Sequence, residues 1–134
     1  MSRLRVLLAE DHQAVAELLR GLLEAECDVV GVVPDGNSLI AAIDTLRPDV
    51  IVSDITMPGC DGLAATGAIL NRWTGARIVF VTVRDEPPIV RKAISLGALG
   101  YVLKEDASEE LLHAVRAAQA GQSYFSRSVR TDLL

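Results

Sequence analysis

Val50-Ile51-Val52-Ser53-Asp54-Ile55-Thr56-Met57-Pro58 is the stretch that decides the fold. Its first three residues are all β-branched, and the run is short and continuously apolar. That is the signature of a parallel strand buried on both faces. Arg5-Val6-Leu7-Leu8-Ala9 has the same character and runs into Glu10-Asp11, as the later run leads into Asp54. In open α/β sheets the carboxyl ends of such strands face the crevice where ligands bind. Three carboxylates gathered there repel one another unless a hard cation joins them, and carboxylate oxygens suit Mg²⁺. The sequence therefore predicts an acidic, metal-binding pocket.

Working outward, strand and helix patterns alternate five times. Val15, Leu18, Leu19, Leu22 and Leu23 follow the i, i+3, i+4, i+7, i+8 spacing of an apolar helical stripe. Asp28–Val33 reads as the second strand, and Pro34-Asp35-Gly36 as a turn. Leu39, Ile40, Ile43 and Leu46 stripe a second helix that must stop before Pro48. The loop Met57–Gly62 leads to a third helix around Leu63 to Leu70, with Trp73 partly buried near its end. Arg77–Val81 is the fourth strand and ends at Thr82. Ile89, Val90, Ala93, Ile94 and Gly97 mark a fourth helix, with Pro87-Pro88 tolerated at its first turn. Gly100–Leu103 is the fifth strand and delivers Lys104. The last helix, capped by Asp106 or Ser108, runs through Leu111, Leu112, Val115 and Ala118 to Gly121.

This series predicts an α/β fold: a (βα)5, flavodoxin-like, doubly wound parallel sheet with right-handed crossovers. Strand order 2-1-3-4-5 places the switch point between the strands that end in Glu10-Asp11 and Asp54.

At 134 residues the chain fits one domain. Half of it is hydrophobic but only 4% aromatic, so aliphatic residues must build the core. The formal charge, 13 − 18 = −5, opposes nucleic-acid binding by charge alone. No apolar run approaches the roughly 18 residues of a membrane span, and no signal peptide is visible. Cys27 and Cys60 are too few for a disulfide framework or zinc site and read as ordinary thiols of a cytoplasmic protein.

Four of the five strands thus end in a functional side chain: Glu10-Asp11, Asp54, Thr82 and Lys104. Asp11 and Asp54 can ligate Mg²⁺, and a second Asp54 oxygen can attack phosphorus to form an aspartyl phosphate. Lys104 suits an ion pair with the phosphoryl group, and the Thr82 hydroxyl can donate to it. Singly, each has a plainer reading: acidic caps, a strand-end threonine, a solvated lysine. All of them at strand C-termini favour the joint functional reading.

Glu10-Asp11, Asp54-Ile55-Thr56-Met57-Pro58 with Asp61-Gly62, Thr82, and Gly100-Tyr101-Val102-Leu103-Lys104 together resemble the receiver domain of two-component response regulators. Gly97–Glu105 and Gly121-Gln122-Ser123-Tyr124-Phe125 resemble the NarL/FixJ-type subgroup. The match spans about residues 3 to 121; the domain is expected over 1–121, with 122–134 starting a C-terminal linker. The resemblance implies that a sensor histidine kinase phosphorylates Asp54, and that Glu10, Asp11, Asp54 and the Thr56 carbonyl serve Mg²⁺. It implies that Thr82 and Tyr101 switch the face made by the fourth helix, fifth strand and fifth helix. It also implies a signalling domain that catalyses only its own phosphoryl transfer and loss. Its output acts on another receiver, as in a homodimer, or on a C-terminal DNA-binding domain in transcription regulation.

The sequence departs from the family pattern in two places. Val83 stands where a small residue is usual and is expected to narrow phosphate access, and Arg84–Pro88 is expected to stiffen a loop that normally rearranges. His12 is expected as an exposed first-turn residue and not as a metal ligand, and His113 as an ordinary helix residue. Two rival readings fit less well. A haloacid-dehalogenase-like phosphatase needs an acid where Thr56 stands, and a flavodoxin-like carrier needs a phosphate-cradling loop where Glu10-Asp11-His12-Gln13 stands.

Overall fold

The computed structural model describes residues 3–133. Residues 1, 2 and 134, the extreme ends of the two expected ranges, lie outside the described residues. Strands β1 (Leu4–Ala9), β2 (Cys27–Val33), β3 (Val50–Ser53), β4 (Ile78–Thr82) and β5 (Gly100–Leu103) alternate with helices. The helices are α1 (Gln13–Glu24), α2 (Gly36–Leu46), α3 (Gly62–Arg72), α4 (Pro87–Leu96) and α5 (Ala107–Gln119). The sheet is parallel in the order β2-β1-β3-β4-β5-β6, so the 2-1-3-4-5 expectation holds with one strand added. That strand, β6 (Tyr124–Phe125), and a helix α6 (Arg127–Leu133) occupy the segment expected as the start of a linker.

The strand period of two sorts the core into two layers. Val6 and Leu8, Val50 and Val52, Val79 and Val81, and Val102 face α1 and α5, meeting Leu19, Leu23, Leu111 and Val115. Leu7, Ile51, Phe80 and Tyr101 face the other way, toward Leu39, Ile43, Ile69 and Val90 of α2, α3 and α4. Residues on both faces are buried, which is why the central strands carry no polar alternation.

Local chemistry sets the helix ends. Asp35 accepts from the Ser38 amide at 2.7 Å and Asp61 from the Ala64 amide at 2.8 Å, capping α2 and α3. Arg47, just before Pro48, closes α2 in the left-handed conformation at φ 47°.

Two details differ from the sequence reading. Leu18 was expected in the inward stripe of α1 but is 63% exposed; Ala16, Leu19 and Leu23 are buried, because small Ala16 takes the inward position a turn earlier. Neither Asp106 nor Ser108 caps α5 through its side chain, since a 3₁₀ turn over Lys104–Asp106 feeds directly into the helix.

Candidate functional site

Register builds the site. Ala9 pairs with Ser53, and the Asp54 amide donates to the Ala9 carbonyl at 2.9 Å. Glu10 and Asp54 therefore leave neighbouring strands at the same level. On the far side of β4, Thr82 pairs with Leu103, which brings Lys104 to that level too. Lys104 Nζ lies 2.7 Å from Glu10 Oε1 and 2.9 Å from Asp54 Oδ2. Both carboxylates are buried, so this lysine bridges two charges that water hardly reaches. Burial alone would lower the Lys104 pKa, but the hydrogen bonds it donates to Asp54 and Glu10, and their charges, overrule it and hold the pKa above its ordinary value.

Asp54 Oδ1 accepts from the Ile55 amide at 2.7 Å, which fixes the carboxylate plane. Behind it the chain passes close: a Cβ on Gly62 would lie 2.1 Å from the Asp54 carbonyl oxygen, so this position admits only glycine. Asp11 and His12 complete the acidic corner, and ligand atoms of Glu10, Asp11 and His12 all lie within 4.8 Å of one another. His12 is exposed, as expected, yet its Nδ1 stands 3.4 Å from Glu10 Oε2 and from Asp11 Oδ1. Buried Asp11 Oδ1 has no hydrogen-bond partner among the described residues. A cluster of carboxylate oxygens, one of them without a hydrogen-bond partner among the described residues, fits a hard divalent cation.

The remaining expected residues are tied to one another through Arg84. Thr82 is fully buried, and its Oγ1 accepts the Arg84 amide at 3.2 Å. The Tyr101 ring packs inward, edge-on to Phe80 at 6.3 Å between centroids, and its hydroxyl donates to the Arg84 carbonyl at 2.6 Å. Burial first, and then the charge of Glu86, raises the Tyr101 pKa well above its ordinary value, so the phenol stays protonated. Thr56 is exposed, and its Oγ1 accepts from Arg84 Nη1 at 3.2 Å. Asp54, Thr56, Val83, Arg84 and Lys104 line one open cavity. The structure thus brings Glu10, Asp54 and Lys104 into direct contact, with Asp11 alongside; Thr56 lines the same cavity, while Thr82 and Tyr101 are buried and meet it only through Arg84.

Residues 6–116 match the response regulator receiver domain family. The chain belongs to that family. As a receiver it is a signalling domain of two-component systems, and among its described residues no helix is long and apolar enough to cross a membrane. It is 38% identical over 125 residues to the uncharacterised transcriptional regulatory protein YxjL of Bacillus subtilis, covering 92% of this chain and 57% of that relative. The receiver thus spans little more than half the length of that curated relative. A LuxR-family two-component response regulator from Aurantimonas superposes with a TM-score of 0.94 at 32% identity, over 98% of this chain and 96% of that one. The isolated receiver domain of RcsB from Salmonella enterica, solved with the phosphomimetic BeF3⁻, gives 0.90 at 29% identity, over 98% and 99%.

Sequence reasoning does not reveal Arg84 as a member of this site, because its partners Thr56, Thr82 and Tyr101 come from the β3–α3 loop, β4 and β5 and no sequence spacing joins them.

Proposed function

We propose that this receiver takes a phosphoryl group from the phosphohistidine of a sensor histidine kinase onto Asp54, with Mg²⁺ as cofactor. The observation that carries the reading is the Lys104 ammonium held between Glu10 and Asp54 Oδ2. An Asp54 oxygen forms the new P–O bond as the N–P bond of the donor breaks; the nitrogen keeps the electron pair and takes up a proton. Lys104, already beside Asp54, pairs with the arriving phosphoryl charge. Thr82 Oγ1 accepts from Arg84 in this structure, which leaves its own proton for a phosphoryl oxygen. Glu10, Asp11, Asp54 and the Thr56 carbonyl would hold the metal. When bound, Mg²⁺ offsets the charge that gathers on the transferring oxygens.

The output follows from Arg84, which lines the cavity and is hydrogen-bonded to Thr82 and Tyr101 behind it. Tyr101 on β5 and Thr82 at the end of β4 both hydrogen-bond the backbone of Arg84, so a shift of Thr82 toward the phosphoryl group is felt between α4, β5 and α5. The relative's description as a transcriptional regulator supports an output on a DNA-binding domain or on a second receiver in a homodimer. This chain, at net charge −5, does not itself read DNA, and it works in the cytoplasm.

Incubation with Mg²⁺ and acetyl phosphate is expected to add one phosphoryl mass, which Asp54→Asn abolishes and chelation of the metal prevents. An unchanged yield in Asp54→Asn sinks the assignment.

A further inference from the structure

We propose that Arg84 is a donor-positioning residue: its guanidinium is a second cation, beside Lys104, for the phosphoryl oxygens entering the Asp54 cavity. This inference rests on Asp54 being the acceptor. Arg84 issues from a fixed point, because its amide is held by Thr82 and its carbonyl by Tyr101, while Pro87 and Pro88 open α4 just beyond. From there the side chain reaches over the cavity to Thr56 on the β3–α3 loop. Its Nε pairs with Glu86 at 3.0 Å and its Nη1 with Thr56, while Nη2 makes no hydrogen bond among the described residues.

Neither partner is a strong one for a guanidinium. Thr56 offers a neutral hydroxyl, and Glu86 is an exposed surface acid whose ion pair is worth little in water. A phosphoryl group offers the planar, two-pronged contact that arginine matches and lysine does not. The charge balance of the cavity supplies the need. Glu10, Asp11 and Asp54 carry three negative charges, and the ammonium of Lys104, already committed to two of them, together with a divalent cation would only neutralise the three, leaving the charge of the incoming phosphoryl group to be met. Arg84 is the cation left at the mouth, with its side chain 38% exposed and open to a donor.

The alternative is that Arg84 only straps the two loops together through Thr56. Arg84→Gln, which keeps a donor for Thr56 without the charge, and Arg84→Lys, which keeps the charge, separate the two. Phosphorylation rates are measured against acetyl phosphate concentration at fixed Mg²⁺, and beryllofluoride affinity is measured by NMR as a readout independent of turnover. Loss of one charge-assisted hydrogen bond is expected to raise the half-saturating donor concentration about tenfold in Arg84→Gln, with a parallel loss of beryllofluoride affinity. Arg84→Lys is expected to fall between the two, about threefold above the unaltered chain, because the point charge survives while the two-pronged contact is lost. Equal behaviour of Arg84→Gln and the unaltered chain, or equal shifts in both variants, overturns the proposal. An unaltered chain that takes no phosphoryl group at all overturns the acceptor reading itself, and this inference with it.

Discussion

Replacing Lys104 with methionine keeps the length of the stem and removes the charge that separates Glu10 from Asp54. The lysine is 16% exposed, Glu10 not at all and Asp54 only 5%, so the variant leaves two desolvated carboxylates face to face. Unit charges about 4 Å apart attract by about 4 kcal/mol at an effective dielectric constant near 20, and desolvation consumes part of that. Breaking a buried pair from one side typically costs about 3–5 kcal/mol, and the open cavity argues for the lower end. In a domain of this size about 3 kcal/mol corresponds to a fall of about 10 °C in Tm. The same change gives a bound cation more negative charge to balance, so Mg²⁺ should bind the variant more tightly. At about 100 times its dissociation constant a ligand adds about 2.7 kcal/mol to either protein, so saturating Mg²⁺ narrows the gap between them by the ratio of their affinities for the ion. Thermal melts in EDTA and in saturating Mg²⁺ read both halves. A variant that melts within about 2 °C of the parent in EDTA, where about 10 °C is expected, would refute the claim that this ammonium holds the carboxylates together.

Gly62→Ala drives a Cβ toward the Asp54 carbonyl, a backbone atom that cannot step aside, so we expect a loss of about 2 kcal/mol in urea melts and slower phosphorylation. Glu110→Gln keeps an acceptor for the Tyr124 hydroxyl but loses the charge that faces Arg130; about 1 kcal/mol is expected, with faster hydrogen exchange at Leu103 and Ser126 and none at β1. Val83 is 68% exposed on the cavity wall, so Val83→Ala should change stability by no more than about 0.5 kcal/mol while quickening phosphorylation; equal rates would show that access does not limit the reaction. Because the folded pKa of Lys104 is raised, its contribution is fully present below the ordinary value of 10.5 and is lost as pH rises through the folded value. The gap in denaturant midpoint between the parent and Lys104→Met should therefore close above pH 10.5 and stay constant from there down to about neutral pH.

The central strands could be read directly because burial on both faces leaves no ambiguity of period, and the acids and Lys104 follow from where those strands stop. Elements whose identity depends on a neighbour could not be read so. Tyr124–Phe125 is a strand of two residues that exists only because β5 offers an open side. Leu18 obeyed the helical spacing, but rotation of α1 on the sheet puts Ala16 inward instead, and an alanine carries little weight in a hydrophobic pattern. Arg84 joins Thr56, Thr82 and Tyr101 only where three strand ends converge.

The pairing of β6 with β5 bears on solubility. Without it, Gly100–Leu103 would be a bare, fully apolar border strand with unpaired amides and carbonyls, the kind that recruits strands from other molecules. Here the Tyr124 amide takes the Leu99 carbonyl at 2.8 Å, and the Ser126 amide takes that of Tyr101 at 2.9 Å. Where the two-residue strand gives out, the buried Ser126 hydroxyl accepts the Leu103 amide at 3.2 Å, finishing with a side chain what the backbone leaves undone. Val129, 1% exposed, anchors the arrangement in the core. Residues 122–130 therefore guard the domain against aggregation, and a chain cut after Gly121 should lose that guard even with every residue of the acidic cavity intact.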